Sequence, residues 1–163
     1  MADRNQYKLI KKGVRSWNRW REEQDDNQTI DLSHSNLSSL DLSNANLQDA
    51  DLSDSNLNKT WLTEANLTDA KLHNSNLCRA NLQAARLWWA DLQGADLRNA
   101  ILSEVSFLNA NLHGANLQGA TLAGANLFEA DLRNANLRDA NLCTSQALGT
   151  DFSGSILTGA LIA

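Results

Sequence analysis

The sequence predicts an all-β solenoid closed at its N-terminal end by a helical cap. Three observations predict it. Leucine recurs at every fifth residue from Leu32 onward. A small residue stands two before almost every one of those leucines. Residues 1 to about 24 follow a helical period instead.

The period of five is clearest over residues 125–142, which read A-N-L-F-E, A-D-L-R-N, A-N-L-R-D, A-N-L. With Leu as the centre, pentads run in frame from Leu32 to Ile162, 27 of them without insertion or deletion. Leu fills 23 centres, the exceptions being Phe107, Ala147, Phe152 and Ile162. Ala, Ser or Thr fills 24 of the positions two before the centre, the exceptions being Ile30, Leu40 and Val105. Asn or Asp fills 18 of the positions one before it. An α-helix turns about 140° in five residues, which would scatter the leucines around its axis. A flat strand would send successive leucines to opposite faces. They share one interior only if the chain turns a corner every five residues, and units that short must stack to bury their apolar side.

The A-(D/N)-L-x-x array resembles the pentapeptide-repeat family over about residues 30–163. A leucine-rich repeat is the competing solenoid, but its unit of about 20–29 residues is uneven inside, whereas this pattern is uniform. The resemblance implies a right-handed quadrilateral parallel β-helix of about seven coils, four pentapeptides each, with the centre and the residue two before it inward. The expected domains are 1–29, cap and linker, and 30–163, the β-helix. The residue types suit that geometry. Leu beside a small residue lets layers interdigitate. Asn and Asp bond nearby backbone at turns. The absence of Pro leaves every backbone N–H free to pair between coils.

Before the array, Tyr7, Ile10, Val14, Trp17 and Trp20 are spaced 3, 4, 3 and 3, one face of a helix that Gly13 weakens. The other side is basic, with Arg4, Lys8, Lys11, Lys12, Arg15, Arg19 and Arg21, and Glu22, Glu23, Asp25 and Asp26 follow. A solenoid needs its first coil covered, so the apolar face is expected to cap the array, against the bulky Ile30 and Leu40. The W-N-R-W-R-E run resembles leaders that precede such arrays in cyanobacterial members of the family. A basic amphipathic helix lying on a membrane or on nucleic acid is the alternative. The cap already uses the apolar face, so nucleic acid is not an expected partner.

Columns of outward residues 20 apart follow from the resemblance. On the fourth side, Trp88, Leu108, Phe128 and Leu148 stack, with Trp89 beside Trp88. A contiguous apolar patch marks an interface with a protein partner or a second copy. The competing readings are tolerated stacking, or a slip at Ala147 that turns Leu148 inward. At the C-terminal end Ile156, Leu157, Leu161 and Ile162 form an apolar face, the expected contact of a homodimer or a partner. Val105, Phe107 and Phe152 read as local repacking.

Charge and chemistry narrow the function classes. Residues 1–29 carry net +2 and residues 30–163 net −7. Some pentapeptide-repeat proteins mimic duplex DNA and protect gyrase, so a gyrase-directed mimic is the alternative function. No nucleophile–base pair, phosphate-binding Gly loop or metal-ligand spacing is present, so the chain reads as a non-enzyme without cofactor or metal. His73 and His113 share a column two coils apart and His34 sits one position over, too sparse for a metal. Cys78 and Cys143, on different sides, read as free thiols of a cytoplasmic protein. No apolar run spans a membrane, and residues 1–21 hold no signal-peptide centre. The expectation is a structural or protein-interaction rod.

Overall fold

In the computed structural model, which describes residues 2–25 and 28–162, the chain forms two short helices followed by a right-handed β-helix of square section. Asp26 and Ala163 lie outside the described residues. Each residue one before a centre pairs in parallel with the residue 20 further on, from Asp31↔Asp51 to Asn141↔Leu161 without a break. Four pentads therefore make one coil. We call the faces first to fourth, with centres beginning at Leu32, Leu37, Leu42 and Leu47.

Each pentad solves the same backbone problem. The centre donates to the next coil, as Leu47 N–H does to Asn66 O at 2.8 Å. The residue before the centre donates to the previous coil, as Asn66 N–H does to Ala45 O at 3.0 Å. The corner closes through a bond from the residue three after the centre, as in Ala50 N–H to Leu47 O at 3.1 Å. The residue two after each centre has positive φ from His34 to Gly159, the pattern of a type II turn.

The residue two after the centre also donates to the next coil, as Asp49 N–H does to Thr68 O at 3.0 Å. One donor remains, the N–H just after the centre. At all 18 pentads with Asn or Asp before the centre, that side chain accepts it: Ser43 N–H to Asp41 Oδ1 at 3.0 Å, Phe128 N–H to Asn126 Oδ1 at 3.0 Å. This is the physical reason for the repeat's polar letter, each such bond contributing about 0.5–1.5 kcal/mol. Inside, the leucines from Leu32 to Leu142 are buried beside the small residues. Val105 and Phe107, both fully buried, fill the interior at the fourth face.

The cap is not one helix. α1 spans Arg4–Ile10 and α2 spans Val14–Glu22, with Gly13 between them at φ 113°. Only glycine takes that conformation readily, so the glycine expected to weaken a helix ends one and starts another. Asp3 caps α1 through its carboxylate, which accepts from the Asn5 and Gln6 N–H groups. Ile10 and Trp17 are fully buried, while Tyr7, Val14, Trp20 and Leu40 are half-buried against the same core. Trp17 and Trp20 pack with ring centroids 5.1 Å apart.

The cap also replaces the missing coil's hydrogen bonds. Asn46 O accepts from Trp17 Nε1 at 2.8 Å, and Asn46 N–H donates to Asn18 Oδ1 at 2.9 Å. Those two side chains do for Asn46 what Leu47 and Ala45 do for Asn66. Asp31 is served likewise, by Asp3 N–H at 2.8 Å and by Gln6 Oε1 at 2.8 Å. Tyr7 Oη donates to Asn36 O and Arg21 Nη2 to Gln48 O. Six cations of the cap, Arg4, Lys8, Lys11, Lys12, Arg15 and Arg19, face solvent.

Two outcomes are expected. Trp17→Phe keeps the ring but strips the Asn46 carbonyl of its donor, at a cost of about 1–3 kcal/mol. Amide exchange should quicken in the first coil and stay unchanged near residues 120–140, and uniform quickening would contradict the cap's local role. The second outcome concerns acid. Hydrogen bonds from Ser43 hold the Asp41 carboxyl below its usual range, and those from Ser153 do the same for Asp151. Arg98 acts so on Asp96 and Arg133 on Asp131. At Asp51 burial pushes upward, but Ser53 and Lys71 prevail and the result is also low. A depressed folded pKa means stability that is present above the unfolded value, about 3.9, and lost as pH falls through the folded one. Asn at these five positions should keep the fold at pH 7 and flatten the fall of Tm below about pH 4.

Candidate interaction surface

Outward positions are free of the interior packing rule, and those that the turn bond does not claim report something other than folding. The four faces differ. The first carries Asp31, Asp51, Asp54, Lys71, Asp91, Asp131, Arg133 and Asp151, with His34, His73 and His113. The second carries Lys59, Arg79, Asp96, Arg98, Arg138 and Asp139. The third holds Asp41, Glu64 and Glu104, and the fourth Asp49, Asp69, Arg86 and Glu129. Charges on the first two faces pair locally: Arg98 with Asp96 at 2.6 Å, Arg133 with Asp131 at 2.7 Å.

The apolar exterior lies on the third and fourth faces. Trp88, Leu108 and Phe128 stack one per coil and are half-buried, while Trp89 is 52% and Leu148 74% exposed. Leu148 does not turn inward. Gln146 pairs with Asn126 in register, and Leu148 O accepts from Glu129 N–H at 3.0 Å, so Ala147 leaves its face unslipped. The Trp88 indole donates to Ser106 Oγ at 2.8 Å, and its ring meets Trp89 edge-on with centroids 6.2 Å apart. The Arg86 guanidinium lies over Trp88 at 6.0 Å. Trp89 itself sits at φ 54°, a left-handed position that a bulky side chain occupies at a cost of about 1–2 kcal/mol.

The third face adds two residues that reading one outward column did not reveal: Trp61, 56% exposed, and Ile101, 44% exposed. A signal existed. Nine pentads lack Asn or Asp before the centre, and seven of them are on the third and fourth faces: Trp61, Arg86, Ile101, Ser106, Thr121, Gln146 and Leu161. Those pentads forgo the turn bond that the rest of the rod uses.

At the C-terminal end Ile156, Leu157, Leu161 and Ile162 are exposed, and Leu157 and Ile162 line an apolar hollow with Leu142 and Phe152. The cap residues Tyr7, Ile10, Val14, Trp17 and Trp20 serve the core and are not on this surface. His73 Nδ1 lies 3.7 Å from Asp91 Oδ2, and His113 Nε2 lies 3.1 Å from Asn134 Nδ2. Among the described residues no group of three His, Cys, Asp or Glu could hold a metal. Cys78 and Cys143 are free and half-buried. No helix of the described residues is long and apolar enough to cross a membrane.

A square parallel β-helix built from in-frame pentads defines a class, and comparison with known proteins gives the same answer. The Pentapeptide repeats family model matches residues 30–63, 62–99, 90–127 and 120–159. The chain belongs to the pentapeptide-repeat family. It is similar to the pentapeptide repeat protein Rfr23 of the cyanobacterium Cyanothece 51142, at 41% identity and TM-score 0.56, over 57% of this chain and 64% of that one. The chain thus spans less than two thirds of that relative's length. A pentapeptide repeat protein of the Arabidopsis thaliana thylakoid lumen is 34% identical over 66% of this chain and 71% of that one, with TM-score 0.43. QnrB1, a plasmid-mediated fluoroquinolone resistance protein, is 19% identical over 86% of this chain and 88% of that one, with TM-score 0.44. No curated protein matches.

Because the third and fourth faces are exterior, polar substitutions there should leave the fold intact. Trp61→Ser and Ile101→Ser are each expected to change unfolding free energy by no more than about 0.5 kcal/mol. A loss of about 2–5 kcal/mol in denaturant titration, the range of core truncations, would show that these side chains belong to the core instead.

Proposed function

We propose that this protein is a non-catalytic protein-interaction module, a rigid cytoplasmic rod that presents its third and fourth faces to a protein partner. One observation carries the reading. The large exposed apolar residues of coils 2 to 4, Trp61, Trp89 and Ile101, gather on two adjacent faces, in pentads that forgo the turn bond. Rules broken without local gain are expected at functional surfaces, and contiguous apolar patches mark interfaces. The exposed Ile156, Leu157, Leu161 and Ile162 are a second contact of the same kind, for a partner or a second copy.

The gyrase-directed DNA mimic is less well supported. Nearly seven coils spaced about 4.8 Å apart span roughly 30 Å, a length over which duplex DNA carries about 18 negative charges. The array carries net −7, with basic residues interspersed.

Affinity capture from lysate of the source organism, followed by purification of the retained protein and titration against the rod, tests the proposal. The wild type should bind it, and a folded Trp88→Ala/Phe128→Ala variant should bind at least about tenfold more weakly. Equal binding by both would remove the faces from the function. Inhibition of gyrase supercoiling by the wild type at submicromolar concentration would favour the mimic.

A further inference from the structure

The apolar half of the rod is also its acidic half. The third and fourth faces hold six carboxylates and one guanidinium, a net −5 of the array's −7. That one guanidinium, Arg86, lies over Trp88. The first and second faces hold more charges of mixed sign, several of them paired. The carboxylates are also placed. Glu64 and Glu104 stand at the corner where the chain enters the fourth face, and Asp69 and Glu129 at the corner where it leaves. All four are exposed. Between the two corners runs the Trp88, Leu108, Phe128 column. The arrangement is an apolar centre with an acidic rim on both edges.

The spacing of the column adds shape. Successive members are one coil, about 4.8 Å, apart, and alternate ones about 9.6 Å. On an α-helix, residues at i, i+3 and i+7 rise about 4.5 and 10.5 Å along the axis. A helix laid parallel to the rod therefore sets its apolar stripe in step with the column, and Asp69 to Glu129, three coils apart, spans two to three of its turns. A second copy does not fit, because like faces would bring net −5 against net −5. The exposed cations of another copy's cap come without apolar residues, which are already spent in its own core.

Building on the interaction reading above, we propose that the fourth face and its corners seat a basic amphipathic helix. Its apolar stripe packs on Trp88, Leu108 and Phe128, and its flanking Lys or Arg side chains meet Glu104 on one edge and Asp69 and Glu129 on the other. The apolar contact supplies affinity, and the rim supplies encounter rate and choice of partner.

The test uses the full chain and a displayed library of 16-residue helical peptides. Stripe positions are drawn from Leu, Ile, Phe and Met, and flanking positions equally from Lys, Glu, Gln and Ser. Peptides retained by the wild type should carry at least about a threefold excess of Lys over Glu at the flanks. They should bind Trp88→Ser/Phe128→Ser at least about tenfold more weakly. The Lys excess should vanish on Asp69→Asn/Glu104→Gln/Glu129→Gln. It should persist on Asp54→Asn/Asp139→Asn/Asp151→Asn, which removes as much charge from the other faces. Column-dependent binders without a Lys excess, or with one that survives neutralisation of the rim, would overturn the inference and leave the interaction surface standing. A wild-type dimer in sedimentation that Trp88→Ser/Phe128→Ser abolishes would assign the face to a second copy and overturn it too. Absence of any column-dependent binder would remove both this inference and the function on which it rests.

Discussion

A chain that turns a corner every five residues must still find a partner for every backbone N–H, and the rest of this structure depends on how it does so. Four donors per pentad go to neighbouring coils or close the corner. The fifth, just past the centre, points at no ladder, and the Asn or Asp two residues earlier takes it. The polar letter of the repeat is therefore a backbone requirement. The leucine and its small companion can fill the interior only because that requirement is met outside it.

The same logic governs the end of the rod. The first coil exposes both unpaired backbone groups and leucines, and the cap answers both at once. Trp17 shows the economy of this: one side chain fills the opening with its ring and supplies the donor that a preceding coil would have supplied. The cap is consequently part of the core, which is why its aromatic face is not available to a membrane or another surface. Its basic side remains in solvent as a feature distinct from the acidic faces of the array.

Once folding has claimed two of every five positions for the interior and one for the turn bond, the remaining letters are free to carry function. That separation makes deviations informative. Trp61, Arg86, Ile101 and Ser106 replace a bonding residue with one that bonds nothing in the turn, and Trp89 occupies a left-handed corner that suits glycine or asparagine. They fall on the adjacent third and fourth faces, and the fourth carries the column of stacked apolar side chains between its two acidic corners. Leu148, at the head of that column, stays outside because the backbone ladder at Gln146 keeps register even with a small Ala147 at the centre. Trp61 and Ile101 were legible as breaks in the polar letter but not as part of one surface, since a single column of outward residues does not show which faces adjoin.

The sequence by itself determined the repeat length, the inward and outward positions, and the existence of a cap, because each follows from a local period that no ordinary helix or strand can use. It also displayed the break at Gly13, though not its outcome. A glycine inside a helical pattern lowers helix stability without saying whether the helix survives, and here packing of two short helices over a square coil decided that it does not. Only the tertiary structure decided that Trp17 and Asn18 would stand in for a missing coil. It also decided that the apolar exterior and most of the net charge would share the same half of the rod. Both are consequences of stacking residues 20 apart in sequence and turning four corners between them, relations that exist only once the coil has closed.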